Sequence, residues 1–196
     1  MTSFPSPFMA DLQDTSFARA TSLAVHDLRT PLATIFGFAR TMQRAVELEP
    51  PVSRYVEMII AASEQMTELL EELGLAARIA AQRYEPVLAD VDTLELARAA
   101  VPEADGTGTT VTTDPPTVQR SLAALVDCAR KHGGVSTVSL RVAGSTLTLD
   151  PVNEAAAPVI MGESLKDLGA VVALSAIRAL GGSAELEGET LLIRLG

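Results

Sequence analysis

One seven-residue segment near the start of the chain holds the residues best suited to chemistry. It begins at His26, ends at Leu32 and reads His-Asp-Leu-Arg-Thr-Pro-Leu. An imidazole nitrogen is nucleophilic, and the adjoining Asp27 can orient the ring or accept a proton from its other nitrogen. Thr30 follows one helical turn later, where its hydroxyl can bond a phosphoryl group or position a water molecule. Arg29 is either an ordinary solvated arginine or a cation that offsets phosphoryl charge. These residue types indicate a group that accepts a phosphoryl and passes it on.

Two helical segments are predicted to carry this motif. The first is expected from about Leu12 to Val46, with apolar residues at alternating spacings of four and three residues from Leu28 onward, and a second such pattern ends at Ala80. Pro50 and Pro51 separate the two patterns, because proline lacks an N–H and restricts the residue before it. The seam positions are Leu28, Leu32, Ile35, Ala39, Met42 and Val46 in the first helix and Ile59, Ala62, Met66, Leu69, Leu73, Ala76 and Ala80 in the second.

So short a break predicts an antiparallel helical hairpin. His26 falls off the seam, so we expect its ring to face outward. A lone hairpin leaves one apolar face uncovered, and two hairpins related by a two-fold axis would cover it as a four-helix bundle. The sequence therefore predicts a homodimer.

The remainder of the chain mixes helical and strand-like patterns, which predicts an α/β domain. Helices are expected over 91–101, 118–131 and 168–180, a turn-rich connection over 106–111, and strands over 135–142, 145–149, 184–186 and 190–195. The fold predicted is thus an α-helical hairpin, a dimeric four-helix bundle, followed by an α/β two-layer sandwich. We place the two domains at residues 11–83 and 84–196.

Composition and net charge argue against nucleic-acid-binding and membrane-spanning proteins. The chain has 196 residues, a formal net charge of −10 and a single cysteine, Cys128. An acidic chain lacks the basic footprint that nucleic acid requires. No apolar run reaches the roughly 18 residues of a membrane span, so we expect a cytoplasmic protein that contacts no membrane. We also expect no metal centre, with His132 lacking a second His or a Cys at ligand spacing and Cys128 acting as a small buried hydrophobe.

The segment from His26 to Leu32 resembles the H-box of two-component sensor histidine kinases, and all seven of its positions fit that pattern. The resemblance continues through the hairpin, where residues 55–79 are similar to the second helix of the family's dimerisation and histidine-phosphotransfer domain. It implies that His26 accepts the phosphoryl group, that Asp27 is the acid/base beside it, and that Thr30 serves in dephosphorylation.

The C-terminal part resembles the same family's ATP-binding domain in a degenerate form. Where the family places the asparagine that ligates the Mg²⁺ of ATP, this chain has Cys128, and Ala124 replaces an upstream asparagine of the same box. The glycine-containing nucleotide loop corresponds to residues 150–154, which contain no glycine, and the second such loop is reduced to residues 167–169. Two interpretations are open: a divergent active kinase, or a retained fold that no longer binds ATP. The simultaneous loss of three boxes favours the second.

These features favour a histidine phosphotransferase of a phosphorelay, closest in build to the ChpT-like histidine phosphotransferases. His26 would carry a phosphoryl group between the aspartates of response-regulator receiver domains, which supply their own Mg²⁺, so no intrinsic cofactor is expected. Arg29, Phe36, Phe38 and Arg40 are the candidate docking residues. The alternatives are an ATP-dependent sensor histidine kinase, whole or truncated, and a non-catalytic protein that binds receivers or dephosphorylates them through Thr30.

Overall fold

The computed structural model describes residues 15–45 and 48–196, which divide into two compact units. The first unit extends to Ala81 and the second begins at Gln82. The predicted helix start near Leu12 and the predicted seam position Val46 lie outside the described residues. Within the described ranges, no helix has both the length and the apolar character that crossing a membrane requires.

The first unit is an antiparallel helical hairpin, as predicted. Helix α1 spans Thr15–Ala45 and helix α2 spans Pro50–Ala80. The two prolines occupy the first positions of α2, where a missing N–H costs no intrahelical hydrogen bond. The side chains in contact fix the antiparallel direction, because Val25 near the start of α1 packs with Leu70 near the end of α2.

Only part of the predicted seam lies between the two helices. Buried positions recur every seventh residue, at Ala18, Val25, Leu32 and Ala39 in α1 and at Val56, Ser63, Leu70 and Ala77 in α2. Most other described seam positions are exposed in the single chain, including Leu28, Ile35 and Met42 in α1 and Ile59, Met66 and Leu69 in α2, whereas Ala76 is buried and Leu73 is half-buried. The expectation that all of these residues share one seam is therefore wrong for the hairpin itself. One partner helix covers a single stripe of each apolar face, which leaves the expected uncovered face.

The second unit is a two-layer α/β sandwich, also as predicted. Its strands are β1 (Ala89–Asp92), β2 (Asp105–Thr107), β3 (Thr110–Thr113), β4 (Ser139–Ala143), β5 (Thr146–Asp150), β6 (Ser183–Glu187) and β7 (Thr190–Arg194). Its helices are α3 (Thr93–Ala100), α4 (Pro115–Gly133), the short α5 (Ala157–Ile160) and α6 (Leu168–Ala179). The main sheet has the order β2-β4-β5-β7-β6, antiparallel except for the β2/β4 pair, and β1 pairs separately with β3.

One contiguous apolar core fills the space between this sheet and its helices. Helix α4 contributes Leu122 and Leu125, and α6 contributes Ile177. Strands β5 and β7 contribute Leu147 and Leu191, and each of these five residues is at most 1% exposed. Burying large aliphatic side chains on both layers is what holds α4 and α6 side by side over the sheet. That packing also sets the positions of Cys128, His132 and Asp167.

Three predicted segments of this unit differ from the structure. The strand expected over 135–142 begins only at Ser139. The expected helix over 91–101 begins later, because Asp92 ends β1 and caps α3 by accepting hydrogen bonds from the amides of Leu94 and Glu95. The expected turn-rich connection over 106–111 contains strands β2 and β3. Gly106 has a φ of +119° there, and a Cβ at this position would collide with the backbone of Val142 in the neighbouring strand.

Candidate functional site

His26 presents its imidazole to solvent on α1. Its side chain is 80% exposed, and its Nδ1 lies 3.2 Å from Oδ1 of Asp27. An ionised carboxylate can only accept hydrogen bonds, so Nδ1 is the donor in this pair. In the neutral ring the lone pair then belongs to Nε2, which is the nitrogen able to attack an incoming electrophile. The expected outward orientation of the ring is therefore present, with a neighbour that fixes its tautomer.

The helix places the other motif residues beside this ring. Val25 and Leu32 are buried against α2, which turns the opposite side of α1 outward. That outward side forms a shallow groove lined by His26, Arg29, Thr30, Ala33 and Thr34, residues that share one helical face. The α-helix is continuous through Pro31, so the groove is not interrupted. The structure thus brings the predicted Arg29 and Thr30 next to His26.

The remaining docking candidates do not form a single surface. Arg40 lies on the same helical face as His26, where its Nη2 is 2.7 Å from Oε1 of Glu64 on α2 and its guanidinium sits 5.2 Å from the Phe36 ring centroid. Phe36 is half-buried against the apolar cluster around Val56, so it belongs partly to the hairpin core. Phe38 is 68% exposed but lies towards the uncovered apolar face instead.

A second group of polar residues lies in the α/β unit, at positions that correspond to the nucleotide-binding motifs of histidine kinases. Asn153 donates from Nδ2 to the carbonyl of Gly133 at 2.8 Å, and its Oδ1 accepts from the amides of Ala155 and Ala156. Asp167 caps α6 by accepting from the amide of Ala170. Both side chains therefore have structural roles at the ends of helices.

Cys128, His132 and Asp167 form a cluster whose potential ligand atoms all lie within 4.8 Å of one another. The expectation that His132 has no cysteine at ligand spacing is wrong, because Cys128 lies one turn earlier on α4. The third member could not be found from the sequence, since Asp167 is brought close only by the packing of α4 against α6. The available signal was the four-residue spacing of the thiol and the imidazole.

Burial controls the protonation of this thiol. Cys128 is only 1% exposed, and desolvation raises the pKa of its thiol from 9.0 to about 12. The carboxylate of Asp167 adds to the increase, and Lys131 opposes it. Without a bound ion the sulfur is therefore a neutral thiol at physiological pH.

The structure thus combines an exposed histidine on a helical hairpin with an α/β sandwich that follows it in the chain. In a comparison with known protein families, residues 18–82, which form the hairpin, match the His Kinase A (phospho-acceptor) domain family. His26 and the whole H-box lie inside the matched range. No protein with a curated description matches the chain.

Solved structures extend the likeness to both units. The full-length ShkA structure in complex with AMPPNP has a TM-score of 0.66 and 19% sequence identity over 89% of this chain. The histidine kinase AdeS of Acinetobacter baumannii has a TM-score of 0.55 and 18% identity over 87% of this chain. This chain spans 44% of the ShkA chain and 97% of the AdeS chain. The fold is thus that of a histidine kinase core.

Proposed function

We propose that this chain is a histidine phosphotransferase that carries a phosphoryl group on His26 between receiver-domain aspartates. The observation that carries the proposal is the exposed imidazole whose Nδ1 is engaged by Asp27. A second support is the groove around it, where Thr30 and Arg29 face the same incoming group. Phosphoryl transfer depends mainly on in-line positioning and charge neutralisation, so an open, rigid platform is sufficient.

In the proposed reaction, the Nε2 lone pair of His26 attacks the phosphorus of an aspartyl phosphate on a receiver. A nitrogen–phosphorus bond forms, the phosphorus–oxygen bond to the aspartate breaks, and its electron pair leaves with the carboxylate. Positive charge on the ring is stabilised by Asp27 through the Nδ1 hydrogen bond. The reverse steps with a second receiver return the imidazole to its starting state. The receiver would supply the Mg²⁺, since the five residues that line the groove carry no carboxylate and Asp27 is engaged by the His26 ring.

The uncovered apolar face supports a homodimer as the working form. Leu28, Ile35 and Met66 are each at least half exposed, and they belong to one stripe that runs along the hairpin. A second copy would bury this stripe as a four-helix bundle and leave the His26 face open. We expect Ile35→Glu to yield monomers in sedimentation experiments. Thr41→Glu, an equal charge on the opposite side of α1, should leave the dimer intact; dissociation by both variants would contradict this interface.

The α/β unit supports transfer without ATP. Cys128, at the position compared with a Mg²⁺-binding asparagine, is buried, and a thiol is a poor ligand for a hard cation. Asn153 is occupied by the end of α4, and the carboxylate of Asp167 lies where the family places a glycine-rich phosphate loop. These residues do not fit Mg²⁺-ATP, so we assign the unit a docking or stabilising role.

An ATP-dependent histidine kinase is the second candidate, favoured by the fold shared with ShkA and AdeS. Both candidates use His26, and they differ in the phosphoryl donor. The ShkA structure contains AMPPNP, which makes nucleotide binding the property to compare.

The test offers the purified chain two labelled donors in parallel. One is a receiver domain that carries labelled aspartyl phosphate, and the other is labelled ATP with Mg²⁺. If only the receiver transfers acid-labile label to His26, the result supports the phosphotransferase. Rapid labelling of His26 from ATP would show that the chain is a kinase and overturn the proposal. His26→Gln should abolish labelling, whereas Glu187→Gln on exposed β6 should not change it. If neither donor labels His26, a non-catalytic receiver-binding protein is the remaining alternative.

A further inference from the structure

The cluster of Cys128, His132 and Asp167 has the composition and spacing of a metal site. Sγ of Cys128, a ring nitrogen of His132 and a carboxylate oxygen of Asp167 all lie within 4.8 Å of one another. We infer that these three residues bind a transition-metal ion of the Zn²⁺ type, separately from the chemistry of His26. The inference rests only on the α/β unit and is independent of the proposed phosphotransfer.

The fold holds the three donors in place from two elements. Cys128 and His132 project from one face of α4, a single turn apart. Asp167 precedes α6, and its Oδ1 accepts a hydrogen bond from the amide of Ala170 at 3.1 Å. This bond fixes the carboxylate so that Oδ2 points to α4, where it lies 3.2 Å from Nε2 of His132. Since α4 packs against α6 over the common core, the arrangement does not depend on a loose surface loop.

The donor set selects the kind of ion. Thiolate, imidazole and carboxylate are the ligands of Zn²⁺ and similar ions, whereas Mg²⁺ and Ca²⁺ prefer oxygen alone. Three protein ligands leave a fourth position for water or an incoming group. The bond lengths of a tetrahedral Zn²⁺ site bring ligand atoms to roughly 3.5 Å from one another, so the cluster must contract by about 1 Å at its widest.

Binding would require three local changes. The ion must replace the hydrogen bond between His132 and Asp167, with the Nε2 proton passing to solvent as Nδ1 takes one up, so that Nε2 is free to bind. The thiol proton of Cys128 must also pass to solvent as the metal–sulfur bond forms. Lys131 must also move, because its Nζ lies 3.4 Å from Oδ2 of Asp167. The Lys131 side chain is 66% exposed, so it can turn away freely, but its charge should weaken binding of a cation.

Exposure of the cluster is compatible with entry of an ion. The side chains of His132 and Asp167 are 17% and 16% exposed, whereas Cys128 is buried beneath them. An ion can therefore reach the carboxylate and imidazole first and then bind the sulfur. The low exposure also limits the water that would compete for the ion.

Cobalt(II) titration of the full chain tests the inference, because cobalt(II) occupies zinc sites and a thiolate ligand gives it a charge-transfer absorption band. Cys128 is the only cysteine in the sequence, so any such band reports this site. We expect a saturating band that Zn²⁺ abolishes by displacement and that Cys128→Ala lacks. Absence of the band at millimolar cobalt(II) would overturn the inference.

Three further variants distinguish metal binding by all three residues from metal binding by the Cys128 thiol alone. Asp167→Asn retains a good helix cap but loses a charged ligand, and we expect at least about tenfold weaker cobalt(II) binding. Lys131→Met should strengthen binding, and His26→Ala, which changes the other histidine, should leave it unchanged. A band that responds to neither Asp167→Asn nor Lys131→Met would show adventitious binding by the thiol and overturn the site. None of these readouts involves phosphoryl transfer, so failure here leaves the proposed function untouched.

Discussion

The side chain of Asn153 joins the segment after β5 to the end of α4, with its Nδ2 donating to the carbonyl of Gly133 at 2.8 Å. The last carbonyls of a helix have no intrahelical partner, and the αL conformation of Gly134 turns the chain away immediately afterwards. The same side chain accepts two amide hydrogen bonds through Oδ1. Asn153 lies in the segment that corresponds to the nucleotide-binding loop of histidine kinases. In this chain it caps the C-terminal end of a core helix instead.

This relationship predicts the effect of two substitutions. Asn153→Ala removes all three hydrogen bonds and should lower the free energy of unfolding by about 1–3 kcal/mol. Asn153→Asp keeps the acceptor for the two amides but cannot donate to Gly133, so its loss should be intermediate. Urea unfolding of the two variants checks the order. An alanine variant as stable as the parent would show that this contact contributes little.

Asp27→Asn should slow phosphorylation of His26 without preventing it. The amide still accepts the Nδ1 hydrogen bond through its oxygen, but it no longer offsets the charge that develops on the ring. We expect the transfer rate to fall about 10²-fold, the usual contribution of one positioned acid/base group. Rapid-quench kinetics with a labelled receiver measure this rate. A rate equal to that of the parent would show that Asp27 only orients the ring.

Thr30→Ala is expected to separate transfer from dephosphorylation. Thr30 lies one turn from His26 in the same groove, so its hydroxyl can position water near a bound phosphoryl group. The alanine variant should still accept label on His26, while loss of phosphate from the receiver slows by about 10²-fold, the cost of poor positioning. Thr30→Ser retains the hydroxyl and should restore the rate. Equal losses in the serine and alanine variants would exclude this role.

Glycine within α1 provides a test of helix energetics. A Cβ added at the exposed Gly37 would meet nothing within 4 Å, so Gly37→Ala should stabilise the hairpin by about 0.5–1 kcal/mol through lower backbone entropy in the unfolded chain. Gly74→Ala in α2 places its Cβ 3.4 Å from Val25 in the tight contact between the helices, so its gain should be smaller. Thermal unfolding compares the two. A larger gain at Gly74 would contradict the close approach of α1 and α2.

Much of the fold could be predicted from the sequence because its signals are local. Helical periodicity and the two prolines determine the hairpin, and the apolar patterns that follow determine most of the order of elements. The partition of the apolar seam could not be predicted, since spacing alone does not show whether Leu28 or Leu32 meets α2. Strands β2 and β3 were missed because short segments around Gly106 depend on pairing with distant strands rather than on their own residues.

The candidate sites also differ in whether the sequence alone shows that their residues are close together. His26, Asp27, Arg29 and Thr30 lie within five consecutive residues of one helix, so their proximity follows directly from the sequence. The approach of Asp167 to Cys128 and His132 follows from the packing of α4 on α6, which no local pattern reports. Phe38 and Arg40 lie two residues apart on α1, so their separation also follows from helix geometry, whereas the stripe of α1 that is buried is decided by the partner helix.

The buried thiol of Cys128 leads to a pH-dependent prediction for the metal-free protein. Desolvation, aided by Asp167, raises the pKa of this thiol to about 12, while in the unfolded chain it is near 9.0. Between these values the unfolded state has lost the proton and the folded state retains it, so the unfolded state binds fewer protons and stability falls as pH rises. Below pH 9 both states are protonated and the contribution is constant.

The difference between the parent chain and Cys128→Ala isolates this contribution, because the remaining groups titrate alike in both. Urea unfolding at pH 8 and pH 10 should therefore show a greater loss of stability in the parent than in the variant. Alkylation provides a second readout, since only the thiolate reacts: iodoacetamide should modify the native thiol far more slowly than the unfolded one at pH 8. Rapid modification of the native chain, together with equal pH slopes in the two proteins, would show that the sulfur is neither desolvated nor held in its neutral form.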